Sequence, residues 1–259
     1  MLLRTGDTPI AAGATEQPRR QVLVAPSAGN TRYLSITHLS ADGGLSVPHL
    51  HVQAEQIQYT IRGSAAYTID GTGRLDAEPG TAVALPSNTT VSLAIGADGW
   101  EALVATCGEC PYWQNGATPG LTAVRSIRLE DTTLNVGPIG RRGYFSPVLN
   151  NSKYVTMFHT QHVGQARGPE HVHEVHEEAL FITAGSFVLT VDGVDECAEP
   201  GSLLFVPPAR RVAHTAGAGG CQGVAVTCEA CPFGGPSYGS EDVRQLLQES
   251  NPALHFPNQ

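Results

Sequence analysis

Pro48 to Gly71 reads PHLHVQAEQIQYTIRGSAAYTIDG, and Glu170 to Gly193 reads EHVHEVHEEALFITAGSFVLTVDG. Both stretches open on His-x-His, continue into an apolar run and close on Asp-Gly. The likeness extends outward from them. NTRYLSITH (Asn30 to His38) matches NSKYVTMFH (Asn151 to His159) at an offset of 121. AEPGTAVALP matches AEPGSLLFVP, and ATCGECP matches VTCEACP. A period of this length is too long for a solenoid repeat and suits a duplicated domain. The expectation is two tandem copies of one fold.

Inside each copy the apolar pattern is that of strands. YLSI, IQYTI, AAYTI, AVAL and ALVAT are short, rich in β-branched or aromatic residues, and bounded by Gly, Pro, Asp or Asn. Ile-Asp-Gly and Val-Asp-Gly are hairpin signals. Helical signal is nearly confined to SEDVRQLLQES near the C-terminus, where Ser240 is a candidate cap. The predicted class is all-β: two tandem barrels followed by a short C-terminal helix. The expected layout is an N-terminal arm (1–19), a first domain (20–114), a linker (115–135), a second domain (136–235) and a helical tail (236–259).

Composition narrows the partners. The 259 residues carry a formal charge of −9, with 15% charged residues, 29 Gly and 18 Pro. A net acidic chain is a poor partner for nucleic acid or an anionic membrane. No apolar run approaches the roughly 18 residues of a membrane-spanning helix. The first twenty residues lack the continuous apolar core of a secretory signal. A cytoplasmic protein acting on a small molecule is expected, with a homodimer left open.

The second copy carries the chemistry. His171 and His173 precede a strand, and residues two apart on a strand share a face, so both imidazoles can enter one barrel. Glu178 begins EALFITAG, and His214 follows Pro207-Pro208 on a later strand. Three imidazoles and a carboxylate suit a divalent first-row metal (Mn, Fe, Co, Ni, Cu or Zn) with positions left for water or substrate. His176, between the ligands, reads as a rim residue. In the first copy His49 and His51 remain, but Gln56 replaces Glu178 and Leu93 replaces His214. One metal per chain is expected, in the second barrel.

The run G-x5-H-x-H-x4-E-x6-G, then G-x5-P and a later His, resembles the double motif of the cupin superfamily. Gln165 to Gly185 and Gly201 to His214 carry it with two departures. The first Gly is displaced to Gly164 or Gly168, and the Pro-to-His interval is two residues longer. The resemblance spans about residues 20 to 235 and implies a bicupin of two jelly-roll barrels. Within the superfamily the chain most resembles the quercetin 2,3-dioxygenase type, with polyketide-cyclase-like cupins second. That likeness implies His171, His173, Glu178 and His214 as metal ligands and Glu178 as the base taking the substrate proton. A carboxylate at a partly dry metal site can take such a proton on general chemical grounds too. Candidate walls around it are Leu180, Phe181, Phe187, Leu189, Phe205 and Val212. The implied reaction is dioxygenation of an aromatic or polyketide-like compound. The alternatives are a non-redox cyclase, isomerase or dehydratase with a Lewis-acid metal, and a non-catalytic binding bicupin.

Other positions recur between the copies. Cys107, Cys110, Cys228 and Cys231 form two C-x-x-C pairs, read first as reduced buried thiols, next as a second, structural zinc shared between the copies, with disulfides as the remaining alternative. Arg19-Arg20 corresponds to Arg141-Arg142. Either pair could grip a carboxylate or phosphate, a solvated or interface ion pair being the plainer reading. His38 and His159 also correspond, and one of them could reach a barrel interior.

Overall fold

A computed structural model describes residues 2–4, 18–29, 31, 33–52, 54–70, 73–107, 121, 123–132, 134–135, 139–146, 152, 155–173 and 176–228. A short strand β1 (Leu2–Arg4) comes first. The first repeat contributes β2 (Arg19–Val24), β3 (Leu34–Ala41), β4 (Ser46–Val52), β5 (Gln56–Ile69), β6 (Gly73–Ala77), β7 (Thr81–Leu85) and β8 (Thr89–Cys107). Then follow β9 (Arg125–Arg128), β10 (Leu134–Asn135), β11 (Ile139–Phe145), β12 (Val155–His162) and β13 (Arg167–His173). The chain continues through β14 (Glu178–Val191), β15 (Val194–Ala198), β16 (Ser202–Val206) and β17 (Arg210–Cys228). Every pairing is antiparallel. The all-β expectation holds: two jelly-roll barrels, one per repeat. The expected C-terminal helix lies outside the described residues.

The repeats superimpose in register. The first sheet runs β2-β3-β8-β5-β7-β9, and the second β1-β16-β14-β17-β12-β11-β10. Tyr67 faces Leu93 across β5 and β8, as Leu189 faces His214 across β14 and β17. The terminal strands are exchanged. β1 pairs with β16 of the second barrel, and β9 pairs with β7 of the first.

The long strands turn a corner at glycine. Gly185 has φ +74, and a Cβ there would stand 2.2 Å from the Gly220 carbonyl oxygen. Gly63 has φ +68 and meets the Gly99 carbonyl oxygen in the same way, at 1.9 Å. At each corner two backbones cross too closely for a side chain, and the ladder register shifts beside it. Past the corner, Asp192 (φ 49) and Gly193 (φ 83) are both left-handed, giving the type I′ turn that the Val-Asp-Gly signal predicts.

Three apolar cores result. One fills the first barrel around Tyr67, Leu85, Leu93 and Trp100. A second fills the other barrel around Phe158, Ile182, Phe187 and Val206. The third lies between repeats, where Leu34, Ile36, Ile57 and Tyr59 pack with Tyr144, Phe145, Met157 and Phe205. Two equivalent buried carboxylates clasp this interface from opposite sides. Glu177 accepts the backbone N–H groups of Tyr33 and Leu34 at 2.9 and 2.8 Å. Glu55 accepts the Leu121 N–H at 3.1 Å and the Ser152 hydroxyl at 2.8 Å.

The cysteine expectation is corrected here. Cys107 and Cys228, each ending the last strand of its barrel, are joined as a disulfide with Cα atoms 6.0 Å apart. Their sulfurs are bonded to each other, so they are neither reduced thiols nor thiolate ligands of the structural zinc expected at Cys107, Cys110, Cys228 and Cys231. Cys110 and Cys231 lie outside the described residues. The repeat symmetry brings the equivalent strand ends together, a distance that spacing along the chain could not reveal.

Candidate metal centre

β13 delivers two imidazoles to one face, and the start of β14 adds a carboxylate. His171 Nε2 lies 2.8 Å from His173 Nε2, and His173 Nε2 lies 3.5 Å from a Glu178 carboxylate oxygen. His176 stacks on His173 with ring centroids 4.4 Å apart. Donor atoms of His173, His176 and Glu178 all fall within 4.8 Å of one another. His176, read from sequence as a rim residue, is only 3% exposed. His176 lies between the end of β13 and the start of β14, with its ring over His173.

His214 stands beside this group, outside that 4.8 Å set. Its ring stacks on Phe187 (5.2 Å, 24°) and meets His162 edge-on at 5.0 Å. Gly168 pairs with His214 in the ladder, and a Cβ at Gly168 would stand 2.1 Å from the imidazole. Gly168, of the two glycines considered for the motif, is therefore the one that makes room for a site residue. Gly164 has open space around it.

His162 was missed in the sequence. Its signal was the alternation Phe158, Thr160, His162 along β12, which turns those three toward the barrel interior and His159 away from it. His162 accepts or donates a bond with the Thr160 hydroxyl at 3.0 Å. Its counterpart in the first repeat is Ala41. His159 stays near Arg142 and Gln222, while His38 sits 3.7 Å from Glu101, so neither joins the cluster.

The electrostatics favour neutral imidazoles. Burial, aided by neighbouring positive groups, pushes His173, His176 and His162 down to about 4 and His214 to about 3. A neutral imidazole offers a lone pair, the form a metal binds. His171 Nδ1 lies 2.9 Å from the Pro169 carbonyl oxygen, which can only accept. The Nδ1 proton is thereby fixed, and Nε2 is left as the donor atom facing His173. Buried His214 Nε2 finds no hydrogen-bond partner among the described residues. A buried polar atom left without a partner is costly, and a cation would satisfy it. The donor set fits a divalent metal.

The first barrel is filled where the second is polar. Tyr67 is fully buried and donates its hydroxyl to the Gln58 side-chain oxygen at 2.7 Å. Its ring meets Trp100 edge-on at 6.4 Å. Leu93 occupies the register position of His214 and is 1% exposed. His49 and His51 fall on β4, and their side chains lie outside those described.

Residues 157–226 match the family model described as Cupin domain. That match lies within the second barrel. Solved structures agree across both barrels. A variant of Bacillus subtilis oxalate decarboxylase superimposes with a TM-score of 0.68 at 15% identity, covering 87% of this chain and 76% of that one. Another variant of the same enzyme covers 100% of this chain and 87% of its own, with a TM-score of 0.67 at 13% identity. The E. coli protein Ylba gives 0.71 at 12% identity, covering 89% and 91%. No curated protein sequence matches the chain. At these identities the structural likeness establishes the two-barrel fold and leaves the reaction to the site.

Proposed function

We propose that this bicupin is a metal-dependent enzyme whose single catalytic centre lies in the second barrel. The observation that carries this reading is the convergence of His171, His173 and Glu178, with His214 beside them, whose buried Nε2 has no other partner among the described residues. His171, His173, Glu178 and His214 would hold one divalent metal (Fe, Ni, Mn, Co, Cu or Zn), and His176 is close enough to exchange with one of them. The metal would supply Lewis acidity toward a bound oxygen atom. Glu178 would take the proton that such a hydroxyl releases. Phe187, Leu189 and Val212, all buried, would shield that transfer from water.

The favoured reaction is dioxygenation of an aromatic or polyketide-like small molecule in its enolate form. Support comes from the flat aromatic face of Phe187 beside His214 and the apolar walls beyond it. A second reading is a non-redox Lewis-acid reaction (cyclisation, isomerisation or dehydration). It is supported by the Glu178 base, which serves proton transfer with or without oxygen. The first barrel, packed with Tyr67, Leu93 and Trp100, would be a structural partner.

Turnover in air against turnover in an anaerobic chamber separates the two. A dioxygenase should lose essentially all activity without oxygen and yield a product heavier by two oxygen atoms, less any fragment expelled. Equal turnover in both would establish the second reading. Glu178→Gln should retain most of the metal and lose roughly 10²- to 10⁴-fold in rate, the usual worth of a general base. His171→Ala should lose metal and activity together, with metal content read by elemental analysis. Full activity in Glu178→Gln would remove it as the base.

A further inference from the structure

Arg141 is the residue of this barrel whose chemistry the metal centre leaves unused. It lies on β11 directly opposite Thr160 of β12, so its side chain shares the face of Phe158, Thr160 and His162. That face is the barrel interior. Its guanidinium carbon stands 5.3 Å from the centre of the Phe158 ring, and Phe158 belongs to the barrel core. Arg142, the next residue, points the other way and donates to the Thr132 carbonyl oxygen at 3.1 Å. The two arginines of the repeated pair therefore do different jobs.

Arg141 is half-buried, yet no carboxylate pairs with it among the described residues. The other well-placed arginines of this barrel do have such partners: Arg210 bonds Asp192, and Arg211 bonds Glu170, both at 2.7 Å. A guanidinium drawn partly out of water gives up hydration, and the Phe158 ring face offsets only part of that loss. Arg141 shares its face with His162, whose ring meets that of His214 edge-on at 5.0 Å. Its planar fork, steadied over Phe158, matches a carboxylate in two-point geometry. In the first repeat the ladder register puts Arg20, rather than the Arg19 of the sequence match, at the position of Arg141, and Arg20 is exposed.

We propose that Arg141 is a specificity residue that receives a carboxylate of the substrate while the metal centre engages another oxygen of the same molecule. The inference rests on the proposed function for its second half alone, because the Arg141 contact needs no metal. The substrate class narrows accordingly to an aromatic or enolic carboxylic acid, and a neutral isostere is rejected because it leaves the guanidinium unpaired.

Benzoate and benzamide are suitable probes, having the same shape and differing in charge. Their binding to the full-length protein is measured by calorimetry, both metal-loaded and after chelator treatment. Benzoate should bind more tightly than benzamide in both preparations. Arg141→Gln should weaken benzoate about 10- to 100-fold, the range of a charge-assisted pair, and leave benzamide unchanged. Arg74→Gln, remote in the first barrel, should change neither. If Arg141→Gln fails to fold, Arg141→Lys keeps the charge without the fork and should show a smaller loss of the same kind. Equal binding of the two probes to the wild type would overturn the proposal. So would discrimination that survives intact in the Arg141 variant. Failure of the protein to take up metal would count against the proposed enzyme and leave the benzoate comparison in chelated protein to decide Arg141.

Discussion

Single residues decide which barrel has a site. His214 and Leu93 occupy the same register position, as do Glu178 and Gln56 and, in the same register of the repeats, His162 and Ala41, so the second interior is polar where the first is apolar. The cluster that results is held neutral by burial, which makes its stability depend on acid. In the unfolded chain these histidines titrate near 6.5, whereas in the fold His173, His176 and His162 wait until about 4. Between those values the unfolded chain binds more protons, so stability declines as pH falls through the window and is complete above it. The chelator-treated protein should therefore lose several degrees of melting temperature between about pH 7 and about pH 4.5. A melting temperature flat across that range would contradict the buried neutral cluster. His171, His173, Glu178 and His214 could be picked out because ligand chemistry leaves few residue types to consider. His162 could not, since a lone histidine on an alternating strand looks the same whether it faces a pocket or solvent.

At the level of elements, each long strand serves two layers of its barrel, and the corner is where β14 passes β17. Gly185 makes that crossing with its carbonyl neighbour too close for any side chain. Gly185→Ala should cost about 1–3 kcal/mol through strain at a positive φ and the forced backbone shift. Chemical denaturation reads the loss, and an unchanged midpoint would mean the corner is slack. The glycine was visible in the sequence as the end of the E-x6-G spacing. Its reason was not visible, because the partner backbone at Gly220 is thirty-five residues away along the chain. The same holds for Gly168, whose neighbour, the His214 ring, arrives from another strand.

The whole molecule is tied together by exchange. β1 and β9 each complete the other repeat's sheet, Glu55 and Glu177 clasp the interface reciprocally, and Cys107–Cys228 closes a separation of 121 residues. A cross-link over so long a loop chiefly restricts the unfolded chain. The double variant Cys107→Ser, Cys228→Ser should lose about 2–4 kcal/mol in denaturant unfolding while keeping its metal content. Loss of metal in that variant would tie these cysteines to the site.

The amino-acid sequence alone determined the duplication and the strand class, because each is written in local periodicity or in similarity between two stretches. Residues two apart must share a face of a strand, and an Asp-Gly pair must turn. The interface was decided only in three dimensions, since which strand ends meet depends on how two apolar sheet faces pack. Cys107 joins Cys228 for that reason, although their spacing along the chain says nothing about the distance between them. Arg141 and Arg142 are neighbours of the same type in the sequence. The pleat sends one toward the histidines and the other to a backbone carbonyl, and only the registered partner strand says which.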